Sequence, residues 1–149
     1  MKRYKSNSEL VHAFATYQSY QGKANNMYFL GGTIYSYGYH FPIATRADGI
    51  TFFNLHGYSN TTRKHKSLVR SAITGDNIVE CAYPPTISEI ERNWLDTTHA
   101  NNFNYWERRI ETLNKELENP RIRNRNARLQ EINKILAYKL AYKMYFKLN

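Results

Sequence analysis

Two glycine-containing turn signals constrain the fold of the first half of this chain most strongly. Gly31-Gly32 and Asp48-Gly49 are typical of two-residue hairpin turns, which need backbone conformations with positive φ. Each lies between short runs rich in β-branched and aromatic residues, so the pattern predicts an antiparallel meander with strands over 27–30, 33–37, 39–45 and 50–55. Pro42 has no N–H to donate, and we therefore expect the third strand at an edge of the sheet.

Capping residues predict helices on either side of this meander. Polar caps followed by apolar residues at helical spacing indicate helices over 7–19 and 59–74. A last strand covers 78–83, and Pro84-Pro85 marks the domain boundary. The expected fold class is α+β, with a small antiparallel sheet and two flanking helices in residues 1–83.

The second half of the chain, residues 84–149, predicts a helical hairpin arm. The capping box Thr86-Ile87-Ser88-Glu89 begins a short helix, a break follows over 97–102, and Asn119-Pro120 ends the next helix. The final helix carries two apolar stripes, which consist of Leu129, Ile132, Leu136, Leu140 and Met144, and of Ile135, Tyr138, Tyr142 and Tyr145. Two stripes exceed the needs of a hairpin, so we expect one to pack on the N-terminal domain, on a second copy as a homodimer, or on a partner.

The charge of the chain is unevenly distributed. Lysine and arginine number 21 against 12 acidic residues, which gives a net charge of +9. Residues 84–118 carry −3, residues 121–149 carry +7 and residues 1–83 carry +5. The excess favours an anionic partner such as a nucleic acid, although an antiparallel helical hairpin would neutralise part of it internally.

Composition and spacing disfavour several classes of protein. Cys81 is the only cysteine, the five histidines lack the short spacing of metal ligands, and Gly31-Gly32 lacks the lysine and helix of a phosphate-binding loop. The sequence has neither an apolar run of membrane-spanning length nor the apolar core of a signal peptide at its start. We therefore expect a cytoplasmic protein without cofactor, metal or membrane association.

Three groups of residues are candidates for binding a nucleic acid or a partner. The first group could stack on bases, the second, near a helix N-terminus, could bind phosphate, and the third could hold a nucleic-acid backbone; they are Tyr35, Tyr37, Tyr39 and His40; Arg63, Lys64, Lys66 and Arg70; and Arg121, Arg123 and Arg125. Each group also has a structural interpretation. The tyrosines can fill the core, the cations of the second group can be ordinary surface charge, and the arginines of the third can pair with Glu111, Glu116 and Glu118.

Two histidines raise a catalytic alternative. His40 and His65 could serve as acid and base in a metal-independent nuclease, because histidine titrates near neutral pH. This arrangement requires the two rings to converge on one pocket. No motif connects them and no carboxylate pair accompanies them, so a non-enzymatic role is the expectation.

The segments Ile34-Tyr35-Ser36-Tyr37-Gly38 and His40-Phe41-Pro42-Ile43-Ala44 resemble the signature of a bacteriophage domain family of unknown function. The resemblance covers about residues 8–73. Gly31-Gly32 departs from it, since a charged residue is expected near that hairpin, and the helical arm lies outside it. The resemblance implies a phage or prophage origin and supplies no activity.

Together these observations favour a small non-enzymatic phage protein that binds a host protein or nucleoprotein complex in the host cytoplasm. An inhibitor of a defence system such as CRISPR would be one example. A nucleic-acid-binding regulatory protein is the first alternative, and a small nuclease is the second.

Overall fold

The computed structural model describes residues 1–37, 41–57 and 59–149. The chain divides into two compact units, residues 1–95 and residues 96–149. The first unit combines a sheet with helices and the second contains two long helices. The expected α+β class is confirmed, but the sheet is larger than expected and mixed rather than antiparallel.

The sheet has seven strands that lie side by side in chain order. They are β1 (Lys2–Arg3), β2 (Gln21–Lys23), β3 (Met27–Leu30), β4 (Thr33–Ser36), β5 (Phe41–Ala47), β6 (Ile50–Asn54) and β7 (Asn77–Cys81). Neighbours are antiparallel except β1 with β2 and β6 with β7, which are parallel. Both predicted hairpin turns are confirmed: β3 pairs with β4 through Gly31 at φ 59°, and β5 pairs with β6 through Gly49 at φ 83°.

The expected edge position of the strand that contains Pro42 is wrong, because β5 lies between β4 and β6. The β4–β5 register shifts between Ile34 and Tyr35, so that Ile34 lies opposite Ala44 while Tyr35 lies opposite Pro42. Such an irregularity accommodates a proline that cannot donate to the ladder. The Asn54 side-chain amide donates to the Pro42 carbonyl over 2.9 Å and supports the strand at this point.

Two helices, α1 (Asn7–Ala15) and α2 (Asn60–Ala72), pack with the sheet to form the main core. Leu10 and Phe14 of α1 and Val69 of α2 are buried together with Phe29 and Ile34 of the sheet. Each large apolar side chain of this kind contributes about 1.5–3 kcal/mol by leaving water. Helix α2 thus packs against α1 and β5, and its Arg70 reaches Phe53 of β6 and Glu80 of β7, where the candidate site lies.

The segment after β7 packs back on the first unit. Helix α3 (Ile87–Arg92) begins with the predicted capping box, in which Thr86 and Glu89 each accept the other's backbone N–H. The Ile87 N–H donates to Thr33 Oγ1 of β4 over 3.1 Å, and Pro84 and Pro85 are buried. The first unit thus extends to Leu95, beyond the boundary that the prolines predict.

The second unit is an antiparallel hairpin of α4 (Asp96–Leu117) and α5 (Arg125–Phe146). The predicted break over 97–102 is wrong, because α4 runs through it without interruption. Two polar residues of that stretch bind the Tyr142 hydroxyl: His99 Nδ1 lies 2.6 Å from it and Asn102 Nδ2 lies 3.3 Å from it. No helix of the described residues has the length and apolar character needed to cross a bilayer.

Candidate functional site

The candidate site is an open cleft of about 390 Å³ between α2 and strands β6 and β7. Helix α2 provides four of its lining residues and the strands provide two. Those residues are Arg63, Lys66, Ser67 and Arg70 from the helix, and Phe53 and Glu80 from the strands. Residues 63, 66, 67 and 70 recur at helical spacing, so α2 places them on one side over the sheet. The arrangement brings three of the predicted cations together.

The ring of Phe53 supports these cations from below. Lys66 Nζ lies 5.7 Å from the ring centroid and the Arg70 guanidinium carbon lies 5.1 Å from it. Both distances fall within the range of cation–π attraction. Gly57 lies close to the stem of Arg63, since a Cβ at this glycine would meet Arg63 Cγ at 3.3 Å. Lys66 and Arg70 are therefore packed against the Phe53 ring, while Arg63 is exposed beside them.

Positive charge dominates the cleft. Arg70 forms an ion pair with Glu80, the one acidic residue among the described residues that line the cleft, with an N–O distance of 2.9 Å. Burial lowers the pKa of Lys66, and the charges of Arg63 and Arg70 lower it further, while Glu80 acts in the opposite direction. Burial also lowers the pKa of His56, with a further contribution from the charge of Lys66. An anion in the cleft would relieve this repulsion between cations.

The first turn of α2 is capped by its own residues. Ser59 Oγ accepts the Thr62 N–H over 3.2 Å, and the Ser59 carbonyl accepts the Arg63 N–H over 3.0 Å. Three of the four cations predicted to bind phosphate, Arg63, Lys66 and Arg70, lie along the side of the helix at the cleft. Lys64 is exposed and does not line the cleft.

The structure describes two residues of the predicted tyrosine group, Tyr35 and Tyr37, and they differ in exposure. Tyr35 is buried and stacks on Tyr28 with ring centroids 4.9 Å apart, so it belongs to the packed interior rather than to a base-stacking surface. Tyr37 is 48% exposed, adopts φ 56° and lies 5.8 Å from the His65 ring. Tyr39 and His40 lie outside the described residues.

His65 is a buried member of a polar network rather than an open catalytic group. Its Nδ1 lies 2.6 Å from Ser36 Oγ and its Nε2 lies 3.4 Å from Asn7 Nδ2. The Asn7 amide nitrogen can only donate, so Nε2 accepts and Nδ1 carries the proton that Ser36 Oγ accepts. Burial lowers the pKa of His65, which agrees with a neutral ring. Asn7 Nδ2 also donates to Asn26 Oδ1 over 3.1 Å, while Asn7 Oδ1 is buried without a hydrogen-bond partner among the described residues.

The arginines between α4 and α5 divide between internal and exposed roles. The Arg125 guanidinium donates to the carbonyls of Leu117 and Asn119 and thereby satisfies the C-terminal end of α4. Arg121 and Arg123 are exposed, and neither side chain forms an ion pair within the described residues. Arg128 pairs with Glu116, which confirms part of the expected internal charge neutralisation.

Arg46 lines a second cavity of about 430 Å³, but its side chain is bound by other residues of the same unit. Arg46 binds both carboxylate oxygens of Asp76 at 3.0 and 3.2 Å and donates to the carbonyl of Ala15 over 2.8 Å. Its guanidinium carbon also lies 4.2 Å from the Tyr17 ring centroid. These contacts occupy the guanidinium, so this cavity offers less to a ligand than the cleft on α2.

Three residues that line the cleft, Phe53, Ser67 and Glu80, were not predicted from the sequence. Phe53 and Glu80 lie opposite each other in the parallel β6–β7 ladder, and this pairing brings them under α2. The order strand, helix, strand over residues 50–81 was the available signal, since a helical crossover is the usual connection between parallel strands.

Comparisons with protein families, with curated proteins and with solved structures found no match for this chain. Among the residues that the structure describes, no group of three or more His, Cys, Asp or Glu side chains is placed to hold a metal ion. Function is therefore inferred from the cleft on α2 and from the surface chemistry of each unit.

Proposed function

We propose that this chain is a binding protein that contacts the phosphate backbone of a nucleic acid through the cleft on α2. The observation that carries the proposal is the clustering of Arg63, Lys66 and Arg70 around one opening that contains a single carboxylate, Glu80. Phosphate groups are the ligands that such clusters of arginine and lysine bind in nucleic-acid partners. The proposal assigns no catalytic role to His65.

The spacing of the cations favours an extended anion over a small one. Arg63 and Arg70 are seven residues apart on α2, which corresponds to about 10 Å along the helix axis. That distance exceeds one phosphate group and suits successive phosphates of a strand. Because the cleft is open and three of its six described lining residues are cations, we expect binding that depends on charge and not on sequence.

The biological setting of the proposal follows from the resemblance to a phage domain family. A phage protein with such a cleft could engage a host nucleoprotein complex through its nucleic acid, and a CRISPR effector complex is one example of such a target. The two predicted helices, the hairpin turns and the β4 residues of the signature are all part of the first unit.

A salt titration with matched charge variants tests the proposal. The probe is a labelled single-stranded oligonucleotide of mixed sequence, and its dissociation constant is measured by fluorescence anisotropy between about 50 and about 200 mM salt. Each phosphate contact on a single strand contributes about 0.7 to the slope of log affinity against log salt concentration. The double variant Arg63→Gln/Lys66→Gln should therefore bind more weakly and lower the slope by about 1.4.

The control removes the same charge from elsewhere in the first unit. Lys5→Gln/Lys23→Gln replaces two exposed cations that do not line the cleft. This variant should keep nearly the slope of the wild-type protein. Equal slopes for the two double variants would show that binding follows net charge alone, and absence of binding by the wild-type protein at the lowest salt concentration would refute the proposed function.

A further inference from the structure

The second unit leaves one apolar face of α5 exposed. Leu129 is 44% exposed, Leu136 50%, Leu140 60% and Met144 70%. The other predicted stripe is the buried one, since Ile135 and Tyr142 are buried in the hairpin. Tyr142 also packs against Phe103 and Trp106 of α4, with ring centroids 5.5 and 5.3 Å away. We call Leu129, Leu136, Leu140 and Met144 the α5 stripe.

The α5 stripe has the width and length of a surface that contacts one helix. At 3.6 residues per turn its four side chains fall within about 80° of one another and extend over about 22 Å of the helix. The spacing of seven, four and four residues is close to that of the seam along which helices pack. A narrow straight stripe of this kind suits an amphipathic helix rather than a broad globular surface.

The charges that border the stripe indicate the chemistry of its occupant. Lys139 and Lys143 lie about one turn apart along one side of the stripe, with no acidic residue between them. Glu131, the single acidic residue of α5, points to the hairpin, where it accepts two hydrogen bonds from Arg109 at 2.6 and 3.0 Å. A second copy would bring the same lysines and no unpaired acidic residue of α5 to meet them, since Glu131 already binds Arg109, and this disfavours self-association.

We infer that the α5 stripe docks an acidic amphipathic helix of a partner protein. Apolar residues of that helix would cover the stripe, and Glu or Asp residues on its flanks would face the basic border. The inference concerns a protein ligand of the second unit. It is separate from the proposed nucleic-acid cleft, which lies in the first unit.

Two synthetic peptides test this inference on the full chain. Both contain the same heptads with leucine at the seam positions, one with glutamate and one with lysine at the flanking positions. Binding to the full chain is followed by fluorescence anisotropy. The glutamate peptide should bind, and the lysine peptide should bind at least about tenfold more weakly because it repeats the charge of the border.

A matched pair of variants locates the binding surface. Leu140→Glu adds an acidic residue to the α5 stripe, while Ala127→Glu adds the same charge to an exposed position on the other side of α5. Leu140→Glu should weaken binding of the glutamate peptide at least about tenfold, and Ala127→Glu should leave it within about twofold of the wild-type value. Circular dichroism should show the same helical content for both variants, because both positions are exposed.

Several results would overturn the inference. These are equal affinity for the two peptides, no affinity for either one, and unchanged binding by Leu140→Glu. Light scattering that shows a dimer abolished by Leu140→Glu would identify a second copy as the occupant instead. Binding to phosphatidylserine vesicles that is lost in Leu140→Glu, without preference between the peptides, would identify a lipid surface. The variant Arg63→Gln/Lys66→Gln should bind the glutamate peptide normally, so this inference and the proposed function can fail independently.

Discussion

Acidification should weaken the first unit, and replacement of His65 by glutamine should reduce that effect. His65 is 3% exposed and lies between Ser36 Oγ at Nδ1 and Asn7 Nδ2 at Nε2. Protonation would turn Nε2 into a donor that faces the amide donor of Asn7. The folded unit therefore holds the ring neutral, and uptake of a proton must break this arrangement.

The sign of the pH effect follows from the direction of the pKa shift. Burial lowers the pKa of His65 in the folded protein, whereas the unfolded chain has the ordinary value near 6.5. Below about pH 6.5 the unfolded state therefore binds more protons, and the free energy of unfolding decreases as the pH falls towards the folded pKa. One proton accounts for at most about 1.4 kcal/mol per pH unit. His56, whose pKa is also lowered, contributes with the same sign.

Removal of the hydroxyl that accepts the ring proton should cost stability at neutral pH as well. Ser36 is fully buried, so Ser36→Ala leaves the Nδ1–H of His65 without this acceptor. A buried donor that loses its partner costs about 1–3 kcal/mol. We expect Ser36→Ala to lower the free energy of unfolding by this amount at pH 7.5, since the methyl group of alanine adds no new acceptor.

Urea denaturation of the full chain between about pH 8 and about pH 5 measures these effects. Because the chain has two compact units, amide hydrogen exchange of β4 and α2 reports specifically on the first one. His65→Gln should show a shallower pH dependence than the wild-type protein, while His12→Gln, which replaces an exposed histidine of α1, should match it. Long-range nitrogen–proton NMR spectra should place the ring proton on Nδ1. A proton found on Nε2, or a full pH dependence retained in His65→Gln, would refute this reasoning.

Two further predictions concern contacts that hold the first unit together. Arg46→Met should lower the free energy of unfolding by about 3 kcal/mol, because it leaves the largely buried Asp76 carboxylate without its cation. Arg92→Met, at an exposed position, should have little effect in the same urea titration. Gly32→Ala should lower the free energy of unfolding by about 1–3 kcal/mol, since the alanine Cβ would lie 2.5 Å from the Arg46 carbonyl oxygen. Gly75→Ala, whose Cβ would meet open space, should change the free energy of unfolding by less than about 0.5 kcal/mol. Equal stabilities within either pair of variants would contradict the packing described.

Local signals in the sequence predicted the elements whose stability is local. Gly31 and Gly49 mark hairpin turns that exist, and Ser59 and Thr86 cap helices where capping residues are expected. Such signals act over three or four residues, so the turns and caps that they predict form independently of contacts with the rest of the chain. Strand β1, by contrast, has only Lys2 and Arg3 and no apolar alternation that could announce it.

Errors arose where tertiary contacts override local preference. The stretch 97–102 is polar and reads as a break, yet His99 and Asn102 are held in α4 by the Tyr142 hydroxyl, which lies 43 and 40 residues further along the chain. Pro42 tolerates an internal strand only because the neighbouring register shifts. The cleft could not be predicted from local sequence for the same reason, because Glu80 reaches α2 through the parallel pairing of β7 with β6.

The net charge of +9 acquires a different meaning once its partners are known. Four arginines are committed to carboxylates inside their own unit: Arg46 with Asp76, Arg70 with Glu80, Arg109 with Glu131, and Arg128 with Glu116. These pairs contribute to structure and little to the outer field. Of the remaining cations, Arg63 and Lys66 line the cleft of the first unit, and Lys139 and Lys143 border the α5 stripe of the second. A nucleic-acid strand suits the cleft because its phosphates offer negative charge without apolar surface. An acidic amphipathic helix suits the α5 stripe because it offers both negative charge and apolar surface.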